Sequence, residues 1–598
     1  MKVNWRLFVI TIFLIGFLVV GLTGASTSMS FVWPGYFTIG LAGVLSIISL
    51  FRTTYFRVPL WCFGSVFVLL AYMLARASDS PVLYFSREDS SLLVVCFLCY
   101  GVFISFFTEL NWRKLVFGSV IVLVALNLAF ALWQWFVWPG QWIFPGYERT
   151  FQNRVGGVFN HPDHFACFLA ASIPLLLSLA CFGKYPKPFR IGFVLLAAGS
   201  VLGIIAAKSL IGFIAMSMGA GVFMLLSFII VWKNLNPQVK KVAVTAGVLS
   251  CLVVGGFLIA NKARVAHAVD SRLLTKEGVI HLPMVWEAAK KQFSISPFIG
   301  TGSRSFYFYS RRYLPSEAGG DSVEAEFVHN EFIQMLADYG LIGFGAIMLV
   351  LVLHFGSGLK FIRAYIGFRP LKGPPIPQSD HLALVLGSIG GLTVIGTQSL
   401  FDFVMHVPAI AIFASLMLAT MACPDPMSSA NESPRESYLP GGNFLFITRA
   451  VSFGSGFALL MLGIVFTRSE WHFEQGRLAF QSDSQNFQIF RHLQTARRLD
   501  PGNPFIYSLS AHSHVATIET NMAEPARVAA LKKADDYFST ARQLYPHDIF
   551  AAIGHSSVLD ELGQHDRSRE LLRDAREWAP AYGCLMMAEA EHFLRQGD

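Results

Sequence analysis

For most of its length the chain alternates between apolar runs of about 20 residues, the length of one bilayer crossing, and short polar stretches. Such runs cover 7–26, 31–51, 58–76, 90–108, 114–138, 161–182, 190–207, 209–232, 242–260, 330–358, 381–401, 403–423 and 446–467. They predict an all-α fold, a polytopic membrane helix bundle of about 12–13 transmembrane helices, over 1–467. Lys2 and Arg6 precede the first run, and with so many spans behind it that run reads as a retained signal anchor. With the N-terminus inside, Arg52/Arg57, Arg113/Lys114, Lys184/Lys187/Arg190, Lys233/Lys240/Lys241 and Lys360/Arg363/Arg369/Lys372 all fall on the cytoplasmic side, as the positive-inside rule asks. The same count puts 137–160, the long loop 261–329, the turn around Asp402 and the C-terminal tail outside, which in a bacterial cell is the periplasm.

From 470 to 598 the pattern becomes charged and helical. One phrase recurs three times, as ARRLDPGNPF, ARQLYPHDIF and AREWAPAYG. Its prolines Pro501, Pro546 and Pro580 stand 45 and 34 residues apart, and an insertion around NMAEPARVAAL accounts for the longer interval. A period of about 34 resembles the tetratricopeptide (TPR) repeat, in which stacked helix pairs leave a concave surface for a partner. A plain helical bundle is the alternative.

Composition narrows the class. With 54% hydrophobic and 14% charged residues in 598, and a mean hydropathy of +0.52, a soluble enzyme is excluded. The net charge of +8 comes from Lys and Arg scattered through short loops, so no nucleic-acid partner is expected. Most of the eight Cys lie in or beside apolar segments, with neither a disulfide framework nor zinc spacing.

Candidate chemistry gathers at the outer ends of the spans. The loop 261–328 interleaves Arg264, Arg272, Lys276, His281, Lys290, Lys291, Arg304, Arg311 and Arg312 with Trp286, Phe293, Phe298, Phe306, Tyr307, Phe308 and Tyr309. That mixture suits a phosphate-bearing ligand with a sugar or apolar body. Within it VWEAAKKQF reads as an amphipathic helix lying on the membrane, whereas the glycines of GTGSR would let backbone approach a ligand beside Arg304. In GGVFNHPDHFACFLAA, His161 and His164 are three apart; no third metal ligand adjoins them, so we read a helix start at Pro162 capped by Asn160 or Asp163. Lys208 sits in a tight turn where it either snorkels or binds, and Asp402 and His406 mark another outer turn.

In EFVHNEFIQMLADYGLIGFG, 100° per residue puts Glu331, Gln334 and Asp338 on one face and His329, Leu336, Gly340 and Gly343 on the other. The glycines would then admit close helix packing on the His329 side. A helix N-terminus disfavours an imidazolium, leaving His329 neutral and able to accept a proton. Spacing alone leaves a packed core histidine equally open.

Taken in order, GGVFNHPDHFA, Trp286 through PFIGTGSRSFYFY, VHNEFIQMLADYGLIG and SLFDFVMHVPA resemble the O-antigen ligase and polymerase superfamily of bacterial inner-membrane glycosyltransferases, with the related protein O-oligosaccharyltransferases. The resemblance implies transfer of a glycan from a polyprenyl-diphosphate carrier to a lipid, glycan or protein acceptor on the periplasmic face, with no cofactor and no metal. It implies His329 as the base assisting the acceptor, and Arg272 and Arg304 as stabilisers of the departing diphosphate. Lys208, Asn160, His164, Gln334, Asp402 and Arg311 would bind or orient substrate. Two positions depart from the family pattern: Lys208-Ser209-Leu210 stands where an arginine usually follows the serine, and His281 and Leu282 stand near the place of the arginine usually found before the loop tryptophan. The alternatives are a polysaccharide polymerase of the same superfamily, a non-catalytic transporter of lipid-linked glycan, and an assembly scaffold whose repeats (470–598) recruit a cell-envelope protein.

Overall fold

The computed structural model describes residues 5–25, 31–46, 60–107, 110–138, 140–143, 153–238, 240–241, 245, 273–275, 278–280, 282–314, 325–366, 376–423, 441–482, 486–519 and 522–596. The apolar runs fold as helices α1 (Trp5–Thr23), α2 (Trp33–Ser46), α3 (Leu60–Ala77), α4 (Leu83–Phe106), α5 (Leu110–Phe136), α6 (Pro162–Phe182), α7 (Lys187–Ala206) and α8 (Leu210–Val231). A small antiparallel hairpin, β1 (Leu273–Thr275) with β2 (Gly278–Ile280), opens the described part of the long loop. Two short helices follow it, α9 (Leu282–Ile295) and α10 (Phe306–Tyr313). The chain then re-enters the bundle as α11 (Glu331–Arg363), α12 (Asp380–Gln398), α13 (Pro408–Ala422) and α14 (Gly441–Gln481). Among the described residues nine helices are long and apolar enough to cross a membrane, with two shorter apolar helices at Leu7–Thr23 and Pro408–Ala422. The expected span at 242–260 lies outside the described residues, apart from an isolated helical position at 245.

Helices α6, α12 and α13 form the centre of the bundle: they are buried on nearly every side and therefore apolar all round. The end away from the long loop carries the Lys and Arg of the short loops. There Lys114 reaches Asp380 at 2.8 Å, Asp380 also accepts from the Lys184 backbone N–H at 2.6 Å, and Arg113 donates to the Cys423 carbonyl.

Helix α9 is amphipathic, as its sequence suggests, and its apolar face is buried against protein. Leu282, Val285, Ala288 and Ala289 pack into a small core with Phe306, Val328 and Ala337, because the start of α11 offers them a closer apolar surface than lipid. The GTGSR glycines likewise meet protein. At Gly340 the backbone of α11 leaves the helical region (φ 66°, ψ −169°), and the loop inserts there. Leu341 and Ile342 donate their N–H groups to the carbonyls of Pro297 (2.9 Å) and Phe298 (3.0 Å), while Gly302 donates to Asp338 O at 2.9 Å. Gly340 is therefore a chain break that admits the loop, not a helix-packing contact on the His329 side. A side chain at Gly300 would put a Cβ 2.2 Å from Asp338 O.

The tail folds as three helix pairs, α15 (Asn486–Leu499) with α16 (Pro504–Ala516), α17 (Glu524–Leu544) with α18 (Ile549–Glu561), and α19 (His565–Trp578) with α20 (Gly583–Gln596). The recurring phrase is the turn inside each pair, and the 21-residue α17, against 14 residues in α15 and α19, takes up part of the longer repeat interval. All three turns contact the membrane part. Asp500 pairs with Arg87 (2.7 Å), Asp548 with Arg311 (3.4 Å), and Trp578 packs on Phe308 with ring centroids 4.6 Å apart. The repeat region is thus docked on α10 and the start of α4, which fixes α10 at the long-loop end of the bundle.

Replacing Gly340 by Ala forces a Cβ to 2.4 Å from the Phe298 carbonyl at positive φ. Thermal unfolding of the purified protein should show G340A destabilised by about 1–3 kcal/mol or more. G345A, whose Cβ meets nothing within 4 Å, should unfold with the wild type.

Candidate active site

Four elements bring polar side chains together at the long-loop end of the bundle. His161 is the N-cap of α6: its Nδ1 accepts from the Asp163 N–H at 3.2 Å, the place expected for Asn160 or Asp163. Asn160 instead donates its backbone N–H to Ala25 O. His164 follows in the first turn and is buried, its ring 4.9 Å from that of His161. Ser209 caps α8 by accepting from Gly212 N–H, and Asn330 caps α11 by accepting from the N–H groups of Phe332 and Ile333. The residues just before these two caps are Lys208 and His329.

His329 therefore precedes α11 and takes no place on its helical face. Lys208 (φ 52°) and His329 (φ 54°) both occupy left-handed backbone, as does Arg304 (φ 54°). Among the described residues only one further non-glycine residue, His547, has positive φ. Each such position costs of order 1–3 kcal/mol, and strain of this kind concentrates where a side chain must be aimed.

Asp402, in the turn between α12 and α13, is the meeting point. Its Oδ1 lies 3.5 Å from His164 Nε2 and 3.8 Å from His329 Nδ1. The turn is held by two latches. Glu331 accepts from the Met405 N–H (2.7 Å) and contacts His406 Nδ1 at 3.2 Å, and Gln398 donates to the Asp163 carbonyl at 2.7 Å. Gln334 fixes the other side of His329 by accepting from the Val328 N–H at 3.0 Å. Asp338, on the same stripe, is used inside the loop core, accepting from Gln292, Ser305 Oγ and the Phe306 N–H.

Electrostatics follow burial. Burial holds His329 down to about 4, with Asp402 opposing it, so the ring is neutral at ordinary pH. Burial takes His161 down to about 3. Burial alone would raise the Asp402 carboxyl, but His164, His161 and His329 outweigh it and hold it below the usual range. His406 is raised, because Glu331 and Asp89 overcome its burial.

Arg304 stands apart from the histidines. Its guanidinium meets Glu326 at 2.5 Å, Glu88 at 3.3 Å and Asp89 at 4.0 Å, so its charge is matched by carboxylates. It also covers the face of Phe327 at 4.3 Å. Phe327 stacks on Phe403 (4.1 Å, 6°), and Phe403 presents its ring edge-on to both His164 (4.9 Å) and His329 (4.7 Å). Arg311 is buried over Tyr307 and Tyr545 in the repeat-region contact, away from this cluster. Arg272 lies outside the described residues.

One cation that the sequence reading passed over belongs here. Arg154 donates from Nε to the Ala207 carbonyl (2.7 Å) and from Nη2 to Asp163 Oδ1 (2.7 Å), tying the Lys208 turn to the start of α6. Its place in RVGG, directly before the histidine phrase, was the available signal. Beside the cluster, α3, α4, α11, α12 and α13 enclose a cavity of about 250 Å3, walled by Leu69, Leu93, Phe97 and Leu418, with Asp89, Glu331 and His406 among its lining residues.

Residues 192–348 match the O-antigen ligase family model. The chain carries an O-antigen ligase domain. The matched residues run from α7 to the middle of α11 and include Lys208, Arg304 and His329, while His161, His164 and Asp402 lie outside them, on α6 and the α12–α13 turn. No curated protein matches the chain.

Arg154→Ala removes both tethers and leaves Asp163 without this charged partner. Thermal unfolding should fall by about 1–3 kcal/mol in stability. Arg154→Lys should recover only part of the loss, since one ammonium cannot span both acceptors as the guanidinium does.

Proposed function

We propose that this protein transfers a glycan from a polyprenyl-diphosphate carrier to a lipid, glycan or protein acceptor, as an O-antigen ligase, at the periplasmic end of a bundle in the bacterial inner membrane. The observation that carries this reading is His329. Burial favours its neutral form, left-handed backbone between the Gln334 and Asn330 contacts holds it, and its Nδ1 faces Asp402 Oδ1 at 3.8 Å. A neutral imidazole so held takes the acceptor proton as the acceptor attacks the glycan's anomeric carbon and the carbon–phosphate oxygen bond breaks.

The departing diphosphate needs positive charge. Arg304 is matched by three carboxylates, so Lys208, exposed in the adjacent turn and held on the same kind of backbone, is the better placed cation. Arg304 then acts as a positioning residue, holding Phe327 against Phe403 and so the edges of both histidines. Asn160 and His164 line the acceptor or donor side of the same end. The apolar cavity under His406 suits a polyprenyl or lipid acyl chain. The repeat region, docked through its three turns, keeps its other faces for a cell-envelope partner.

His329→Asn tests this, because Asn tolerates left-handed backbone and removes only the imidazole. In a reconstituted assay with lipid-linked glycan, H329N should lose about 10²–10⁴-fold in transfer at normal protein level and unchanged melting temperature. Transfer within a few-fold of wild type in H329N would refute the assignment.

A further inference from the structure

We propose that His406 is a positioning residue of the transfer site: charged, it ties the α12–α13 turn to Glu331 of α11 and Asp89 of α4, and so holds Asp402 against His329. The proposal rests on the transferase reading above. His406 stands four residues after Asp402 in the same turn, and its ring is largely buried. Its Nδ1 lies 3.2 Å from each Glu331 oxygen, and its Nε2 3.7 Å from Asp89 Oδ1. An ionised carboxylate only accepts, and a neutral imidazole carries a single N–H. Both ring nitrogens can donate at once only in the imidazolium.

The two carboxylates are placed for this bridge. Glu331 also accepts from the Met405 N–H at 2.7 Å, so it grips two successive residues of the turn. Asp89 divides its oxygens. Oδ2 accepts from Ser303 Oγ (3.0 Å) and Tyr339 Oη (3.3 Å), while Oδ1 faces His406 and, at 4.0 Å, Arg304. Both are buried, so a neutral His406 withdraws an N–H from one of two desolvated carboxylates.

The turn passes this to the site. Phe403 stacks on Phe327, against which the His406 ring also rests at 4.9 Å. The Phe403 N–H is taken at 2.9 Å by Asp402 Oδ1, the oxygen that faces His329. A turn released at His406 therefore carries that oxygen away from His329.

The remaining charged groups around the ring are Asp338 of α11 and Arg304 of the loop, with Glu88 and Glu326 paired to Arg304. Burial works against the charge on His406; Glu331 and then Asp89 outweigh it, so the protonated ring persists above the ordinary histidine range. The bridge is thus complete at low pH and is lost as pH rises through the His406 titration.

The test uses the full-length protein in nanodiscs from about pH 6 to about pH 9. Hydrogen exchange of the turn 400–407, corrected for intrinsic base catalysis, should show protection that is lost across one titration as pH rises. E331Q and D89N each keep an acceptor oxygen and remove one charge, and each should move that loss to lower pH by about 1 unit or more. H406Q, which carries no charge, should leave the turn unprotected throughout. In transfer assays the same titration should appear as an alkaline fall in kcat with KM held, moving with E331Q and D89N as the exchange does. H406Q should lower kcat by up to about 100-fold. Wild-type protection that ignores pH, or a midpoint unmoved in both E331Q and D89N, overturns the bridge. A kcat profile that does not follow the exchange midpoint overturns the positioning role. H329N should keep the exchange titration while losing transfer, so failure of the bridge and failure of the His329 assignment are separable.

Discussion

Everything at the long-loop end of the bundle depends on one break in a helix. A peptide N–H inside a membrane bundle must find an acceptor, and at Gly340 α11 gives up its own ladder. The loop supplies the replacement, with Leu341 and Ile342 bonded to Pro297 and Phe298. Tyr72 seals the crossing by donating to the Tyr339 and Ile299 carbonyls (2.8 and 3.1 Å). Because these are backbone bonds in both directions, the loop is registered to α11 residue by residue. Arg304 is set by that register at one side and His329 by the cap of the same helix at the other.

The second layer of order is the aromatic column. Arg304 over Phe327, Phe327 on Phe403, and Phe403 against His164 and His329 run from the acidic pocket of α4 to the histidine cluster. The repeat region adds a lid of the same kind, with Phe85, Tyr307, Phe505 and Tyr545 interlocking around the α10 contact.

Much of the fold was legible because it is set by local rules. Apolar runs long enough to span, cations in the intervening loops and a turn phrase recurring with an identifiable insertion each depend on residues near one another in the chain, and each appears as helices and helix pairs. The residues quoted for the family resemblance also lie where the ligase domain and its flanking turns are found. Less legible was what each residue touches. The glycines beside Arg304 suggested a ligand and instead receive α11. The VWEAAKKQF helix faces protein, Arg311 faces the repeat region, and the α6 cap is His161. In each case the nearest apolar or charged surface came from a distant segment that no spacing reveals.

The histidine cluster shows the same division most sharply. The chain alone dictates that His161 and His164 stand three apart where a helix starts near Pro162 and that His329 and Asp402 lie at span ends, because helical periodicity and hydropathy are one-dimensional properties. It does not dictate that these four meet. That depends on the Glu331 and Gln398 latches drawing the α12–α13 turn across the starts of α6 and α11, and on left-handed backbone at His329 turning its ring inward. Both are choices made by packing, where satisfying buried backbone groups outweighs the local preference of any single residue.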